Sequence, residues 1–278
     1  MEVIAAQGMR MPKLGLGTWR LSGAECQTAV ERALALGYRH LDTAEMYGNE
    51  EAVGAGLAAS AVPRAEVHLT TKVWWEHLAP DAMRDALRRS LDRLATPYAD
   101  LYLIHWPPPP GGPDLAAALE TLAALREEGL ARAIGVSNFP VALMRLAVEE
   151  VGAPIACNQV EYHVLLDQSP VLDHARDHGI AVTAYSPLAQ GRLSDYPALA
   201  VIARKHGATP AQVALAWLLE QPGVGAIPKA GRAESQTANL EAMSVQLEDE
   251  DRAAIALLPK NERFVSPSFA PKWDRTGR

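Results

Sequence analysis

The stretch GYRHLDTAEMYGNE, residues 37–50, joins a predicted strand to two chemically active side chains. Tyr38–Asp42 is a short run, with Tyr38 and Leu41 as its apolar residues, that is typical of a strand. Gly37 follows the helical pattern Ala24–Leu36, and a glycine at that place can close a helix in the left-handed conformation. Asp42 therefore ends a strand, and Tyr47 follows in the next loop. A helix, a strand and a loop with polar side chains predict one unit of an α/β fold.

The same alternation of short apolar runs and longer amphipathic segments repeats along all 278 residues. The predicted strands are Leu14–Gly17, Tyr38–Asp42, Val67–Val73, Leu101–Trp106, Ala131–Val136, Ile155–Val160, Ile180–Tyr185 and Val224–Pro228. Eight strands with intervening helices, and no break in composition, predict a single (β/α)8 TIM barrel domain over residues 1–278. A doubly wound sheet is the alternative, but residues 15–20, GLGTWR, lack the third glycine of its phosphate loop.

Composition and charge exclude several classes of function. A net charge of −7 and a pI near 5.6 argue against nucleic-acid partners and anionic membrane surfaces. No signal peptide is visible, and no apolar segment reaches the roughly 18–20 residues of a membrane span. Cys26 and Cys157 are isolated in sequence and offer neither a disulfide framework nor a metal-binding spacing. We therefore expect a cytoplasmic protein that binds a small molecule.

Four polar residues lie at or just beyond the ends of three neighbouring predicted strands: Asp42, Tyr47, Lys72 and His105. A lysine at the end of a buried strand needs a carboxylate partner, and Asp42 is the nearest candidate. The ammonium group of Lys72 is expected to lower the pKa of Tyr47, so that the phenol can donate a proton near neutral pH. An Asp–Lys pair that only joined two strands would leave Tyr47 and His105 unexplained.

These motifs resemble those of the aldo-keto reductases. Residues 37–54 fit one signature of that family, RAIGVSNF at residues 132–139 fits a second, and the similarity extends from Met11 to the tail. Within the family the chain is most similar to bacterial 2,5-diketo-D-gluconate and methylglyoxal reductases. The resemblance implies that Tyr47 is the general acid, that Lys72 and Asp42 tune it, and that His105 orients a substrate carbonyl. It also implies NADPH as the hydride donor.

The resemblance further assigns residues at later strand ends to the cofactor. The implied carboxamide, ring and phosphate contacts are Ser137, Asn138, Gln159, Tyr185, Ser186, Leu188, Lys229, Arg232 and Asn239. Three positions depart from the family pattern: Ala230 replaces a serine, Ser235 replaces an arginine, and Ala238 replaces a glutamate. These departures leave the degree of preference for NADPH over NADH open.

The substrate pocket is expected to be aromatic and small. Trp19, Trp74 and Trp106 fall on loops at the predicted catalytic end, beside Tyr47 and His105, and residues 259–278 are expected to form a loop over the mouth. Indoles favour a small, compact carbonyl compound over a long polymer. The family resemblance implies α-dicarbonyls and keto-sugars as the substrate class. The resemblance favours a monomer. The alternative is a non-enzymatic, NADPH-binding barrel that serves as a regulatory or structural subunit.

No metal site is predicted from the sequence. His174 and His178 share one helix face, but Ala175 stands where a zinc protease requires glutamate. Both are expected to be surface histidines.

Overall fold

The computed structural model describes residues 2–275, in which eight parallel strands curl into one sheet. These strands follow an N-terminal hairpin of β1 Val3–Ala6 and β2 Met9–Pro12. In chain order they are β3 Leu16–Gly17, β4 His40–Asp42, β5 His68–Val73, β6 Ala99–Ile104, β7 Ala131–Ser137, β8 Ile155–Glu161, β9 Ala181–Tyr185 and β10 Val224–Ala226. Each strand pairs with the next one in sequence, in parallel register. This order is the one produced by successive right-handed βα units.

Contacts between the first and last strands close the barrel. Leu14 and Gly17 form parallel bridges with Ala226 and Lys229. The Gly15 amide donates to the Ala226 carbonyl at 2.9 Å, and a Cβ atom added to Gly17 would lie 2.5 Å from the Ile227 carbonyl oxygen. A side chain at Gly17 would therefore separate the two strands. The predicted (β/α)8 barrel is confirmed.

Ten α-helices surround the barrel within the described residues. They are α1 Gly23–Ala35, α2 Glu50–Ala59, α3 Pro80–Arg93, α4 Leu115–Glu127, α5 Val141–Arg145, α6 Ser169–Asp177, α7 Pro197–Lys205, α8 Pro210–Leu219, α9 Ala233–Glu241 and α10 Asp249–Ala256. The helix α5 is short and continues as a π-helical turn, Leu146–Glu150. None of the helices within residues 2–275 is long and apolar enough to cross a membrane.

An N-terminal hairpin, which the sequence did not reveal, covers the end of the barrel opposite the catalytic strand ends. Its strands are β1 Val3–Ala6 and β2 Met9–Pro12, paired antiparallel. Gln7 and Gly8 form the turn with φ of 47° and 83°, as two-residue hairpins require. The buried side chains of the hairpin pack against inward-facing residues of the barrel, including Leu101, Leu103 and Cys157. Strands of four residues are too short for their alternation to be distinguished from a polar loop.

Candidate active site

A cavity of about 580 Å³ opens at the carboxyl ends of the strands, where barrels of this class place their active sites. Its lining contains Asp42, Tyr47 and His105 from the predicted catalytic set. It also contains Trp19, Trp106, Asn138, Gln159, Tyr185, Ser186, Leu188 and Lys229 from the predicted binding residues. One cavity therefore brings together residues from most of the strands.

The four predicted catalytic residues lie side by side. Lys72 in β5 is fully buried, and its Nζ atom donates to Asp42 Oδ1 at 2.5 Å and to the Thr43 carbonyl at 2.7 Å. The same Nζ atom lies 3.4 Å from the Tyr47 hydroxyl. The Tyr47 and His105 rings meet edge to face with centroids 5.6 Å apart. The expected ion pair between Asp42 and Lys72 is therefore present, and the phenol lies next to it.

The electrostatics of Tyr47 differ from the expectation. Burial, with the Asp42 carboxylate adding to it, raises the pKa of Tyr47 well above its usual value. The predicted lowering of this pKa is wrong for the protein as it stands, because burial disfavours the charged phenolate and the Asp42 carboxylate adds to that effect. Burial also lowers the pKa of Lys72, while Asp42 opposes that shift. At neutral pH the phenol is thus a protonated hydrogen-bond donor.

Burial, and then the Lys72 charge, lower the pKa of His105 well below its usual value. His105 is therefore neutral near pH 7. Trp74 packs against its ring at 5.4 Å, and Trp19 packs against Tyr47 at 4.8 Å. Trp19 and Trp106 line the cavity, whereas Trp74 lies behind His105 and contacts Phe269 of the tail. Of the three predicted indoles, Trp74 supports the wall rather than forming it.

The predicted carboxamide-binding residues form a connected network with the catalytic group. Gln159 Nε2 donates to Asp42 Oδ2 at 2.7 Å, and Ser137 Oγ donates to the Gln159 carbonyl at 2.7 Å. Asn138 Nδ2 donates to the His105 carbonyl at 3.0 Å, and Tyr185 donates to Asn138 Oδ1 at 2.7 Å. Asp42 therefore holds Lys72 with one oxygen and Gln159 with the other. No sequence pattern indicated this link between Asp42 and Gln159.

Backbone strain is concentrated around the same cavity. Among its lining residues, Arg20, Asn138, Ser186 and Gln190 have φ of 64°, 64°, 47° and 52°. Side-chain-bearing residues rarely adopt this region, and they persist there only where the surroundings impose it. The loops that form the cavity are held in a defined shape at an energetic cost.

The predicted phosphate-binding residues come from the loops after β9 and β10 and from α9. Lys229, just after β10, is exposed and lines the cavity, together with Ser186 and Leu188 after β9. Arg232 is exposed at the N-cap of α9, whereas Asn239 of the same helix is buried and does not line the cavity. A helix N-terminus with two cations after the last strand suits a phosphate group.

The C-terminal segment is anchored by a buried carboxylate that the sequence analysis missed. Glu161, at the end of β8, accepts from the amides of Phe264 and Val265 at 2.8 and 2.9 Å. Val265 lines the cavity. His163 lies 3.2 Å from the same carboxylate, and Arg263 lies 3.9 Å from it. An acidic residue directly after the predicted strand Ile155–Val160 was the available signal, since a buried charge requires partners.

Aromatic contacts complete the attachment of the tail. Phe269 packs on Trp106 with ring centroids 5.5 Å apart, and Trp273 packs on the same indole at 6.1 Å. Asp274 accepts from the Val141 amide at 3.0 Å. Residues 259–275 therefore pack beside the cavity, and a loop over its mouth, predicted for residues 259–278, stays a prediction. The last three residues of that predicted segment, 276–278, lie outside the described residues.

The histidines that were expected at the surface are not both there. His174 in α6 is buried, and His178 just after the helix is half-buried. Their rings lie 4.2 Å apart. The expectation for His174 is wrong because the α6 face that carries it packs towards the π-helical turn.

Comparison with known proteins agrees with the architecture of the site. The model of the aldo/keto reductase family matches residues 13–258. The chain belongs to the aldo-keto reductase family. It is 45% identical to methylglyoxal reductase DkgB of Escherichia coli O157:H7, over 96% of this chain and 100% of that protein. It is 40% identical to aldo/keto reductase slr0942 of Synechocystis, over 95% and 90% of the two chains.

Solved structures give the same result. A crystal structure provisionally assigned as 2,5-diketo-D-gluconic acid reductase B superposes with a TM-score of 0.95 at 41% identity, covering 99% of this chain and 98% of that one. The aldose reductase of Schistosoma japonicum superposes with a TM-score of 0.91 at 31% identity, covering 98% of both chains. This aldo-keto reductase is therefore an oxidoreductase that acts on carbonyl groups.

Proposed function

We propose that this aldo-keto reductase reduces small α-dicarbonyl and keto-sugar compounds to alcohols with NADPH, and that Tyr47 is the proton donor. The observation that carries the proposal is the contact between Tyr47, His105 and the buried Lys72–Asp42 pair within one cavity. The similarity to a methylglyoxal reductase and to a 2,5-diketo-D-gluconic acid reductase supports the substrate class.

The cavity fits a nicotinamide cofactor in the chemistry of its walls. Asn138 and Gln159 supply amide groups, Tyr185 supplies an aromatic ring, and exposed Lys229 supplies a cation for phosphate. Reduced nicotinamide, when bound, supplies the hydride. Lys229 and Arg232 favour a cofactor that carries an additional phosphate, so we propose NADPH rather than NADH.

The chain's own residues then perform the proton chemistry. Tyr47 keeps its proton at neutral pH and donates it to the carbonyl oxygen as negative charge develops there. Because Lys72 Nζ lies 3.4 Å from the phenol oxygen, its charge stabilises the phenolate that forms. Neutral His105 offers a second hydrogen bond that orients the carbonyl. The indoles of Trp19 and Trp106 exclude water from this step.

A screen of about twenty aldehydes, ketoses and α-dicarbonyls, read by loss of NADPH absorbance, tests the proposal. We expect turnover with small dicarbonyls in the wild type, and a fall of about 100-fold or more in Tyr47→Phe with NADPH binding retained. Absence of turnover with every compound, despite NADPH binding, would favour the regulatory or structural alternative. More than a tenth of wild-type turnover in Tyr47→Phe would exclude Tyr47 as the proton donor.

We further propose that the protein is monomeric. The large apolar side chains exposed on the described surface, such as Leu36, Val201 and Leu257, are scattered along the chain. Light scattering at increasing concentration measures the mass directly, and a dimer mass would contradict the proposal.

A further inference from the structure

Three potential metal ligands meet at the end of the barrel remote from the cavity. One carboxylate oxygen of Glu149 and one ring nitrogen each of His174 and His178 lie within 4.8 Å of one another. Glu149 belongs to the π-helical turn that leads towards β8, and the two histidines come from the end of α6, which leads to β9. Since both connections run to the starts of strands, the cluster lies on the side away from the strand ends that form the active site.

Local geometry brings these side chains together. His174 and His178 are four residues apart, the spacing that places two side chains on one face of a helix. The π-helical turn changes the rotation of the chain after α5 and carries Glu149 towards that face. The result is a pair of imidazoles with a carboxylate beside them, a ligand set suited to zinc and related divalent metals.

The hydrogen bonds of His178 leave the required nitrogen available. Its Nδ1 atom lies 2.9 Å from the His174 carbonyl oxygen, which can only accept, so Nδ1 carries the proton. Its Nε2 atom then presents a lone pair, 3.4 Å from Glu149 Oε1. Metal-binding histidines are commonly oriented by such a bond from the second nitrogen to a carbonyl. Two acceptors facing each other at this distance require a cation between them, either a proton or a metal ion.

His174 supplies the independent sign of a missing ligand. Its side chain is only 8% exposed, and among residues 2–275 its Nε2 atom has no hydrogen-bond partner. Arg145, 3.9 Å from Glu149, competes for the carboxylate. Its guanidinium would have to move aside, which its exposed position allows.

We propose that Glu149, His174 and His178 bind one divalent transition-metal ion, with Zn²⁺ the best match, and that water completes its coordination. Zinc–ligand bonds of about 2.0–2.1 Å in tetrahedral geometry place ligand atoms about 3.4 Å apart. The Glu149–His178 separation already has this value. The remaining ligand atoms lie within 4.8 Å of one another, so small side-chain movements bring all three to bonding distance of one ion. The ion would tie the connection before β8 to the one before β9, and so stabilise the barrel without taking part in reduction.

The test uses untagged protein, since a histidine tag would itself bind the ions. Calorimetric titration with ZnCl₂ should show one site, and thermal unfolding should shift upwards as Zn²⁺ is added. His174→Ala and His178→Gln should each weaken binding about tenfold or more. His206→Gln, which changes a histidine paired with Asp251 on another helix, should retain the affinity. Arg145→Ala should strengthen binding, because it frees Glu149.

Two further readouts separate this site from the catalytic one. Co²⁺ should give the visible absorption of a low-symmetry complex in the wild type and lose it in His174→Ala. Reductase activity of the wild type should not change on addition or removal of Zn²⁺. Failure of the wild type to bind Zn²⁺, or equal affinity in wild type and His174→Ala, would overturn the proposal.

Discussion

At the residue scale, the most connected group of the site is the Asp42 carboxylate. One of its oxygens holds Lys72 and the other holds Gln159, so it joins the proposed proton-donating group to the proposed carboxamide contact. Asp42 and Lys72 are both almost completely buried. A buried pair of this kind contributes little net stability, but loss of one partner leaves an uncompensated charge in a poorly solvated place.

Lys72→Met should therefore lose activity and also reduce the free energy of unfolding by about 3–5 kcal/mol. Adding Asp42→Asn should restore much of that stability, because the unpaired charge is removed, but it should not restore activity. Urea unfolding of both variants, with NADPH oxidation assays, measures the two effects separately. If Lys72→Met were as stable and active as the wild type, the pair would have neither role.

The preference for NADPH over NADH should also depend on single residues. Ala230 and Ser235 replace hydrogen-bonding groups that the family resemblance implies, so the preference for NADPH should be real but moderate. Ser235→Arg, in the first turn of α9, should tighten NADPH binding by about tenfold or less, since a charge-assisted bond at an exposed rim is weak. NADH should gain less. Fluorescence titration of both cofactors decides it, and equal wild-type affinities for the two would remove Lys229 and Arg232 from the phosphate site.

At the scale of elements, β8 and the tail act together. Gln159 and Glu161 are two residues apart in the same strand, and the first contacts Asp42 while the second holds the amides of Phe264 and Val265. The position of the C-terminal segment is therefore linked to the strand that carries the predicted carboxamide contact.

Glu161→Gln should raise KM for the carbonyl substrate several-fold and leave the Kd of NADPH nearly unchanged. Its amide keeps only one accepting oxygen and no charge to hold Arg263. In a chain that ends at Lys260, the same substitution should have no further effect on KM, because the amides that it anchors are gone. An equal change in the full-length and shortened chains would show that Glu161 acts on the barrel instead.

Some features of these elements could be predicted from the sequence, and others could not. The strand ends that carry Asp42, Lys72 and His105 followed from apolar runs, because fully buried parallel strands have a strong local signal. The apolar residues of the tail predicted that it is packed, but its anchor Glu161 lies about a hundred residues away in sequence. Contacts of that kind depend on tertiary folding. The pKa of Tyr47 was misjudged for the same reason, because burial depth is a property of the folded chain.

At the scale of the whole molecule, the end of the barrel opposite the cavity contains several histidines held neutral. Burial lowers the pKa of His40, His68 and His174, and His40 and His68 lie edge to face at the starts of β4 and β5. The hairpin that the sequence did not reveal covers this end, and the Pro12 carbonyl lies 3.1 Å from His40. The fold thus excludes water there.

The free energy of unfolding should consequently fall as the solution becomes acidic. A histidine whose folded pKa lies below its unfolded value of about 6.5 takes up its proton first in the unfolded chain. The free energy of unfolding should thus be flat above pH of about 7 and decline below about 6.5, by up to about 1.4 kcal/mol per pH unit for each such group. Urea unfolding across this range measures the slope, and His68→Gln should reduce it. A stability that rises as pH falls through this window would contradict the assignment.

The strained loops around the cavity lower the stability of the cofactor-free protein, but they hold the cavity in a defined shape for cofactor binding. Ser186 has a φ of 47°, a conformation that glycine adopts without penalty. Ser186→Gly should stabilise the cofactor-free protein by up to about 1 kcal/mol and raise its melting temperature, yet bind NADPH more weakly, because the relaxed loop must be ordered again. Selection for thermal tolerance alone would therefore tend to replace the residues that shape the groove. Melting curves with and without NADPH would reveal this conflict as a smaller cofactor-induced shift in the variant.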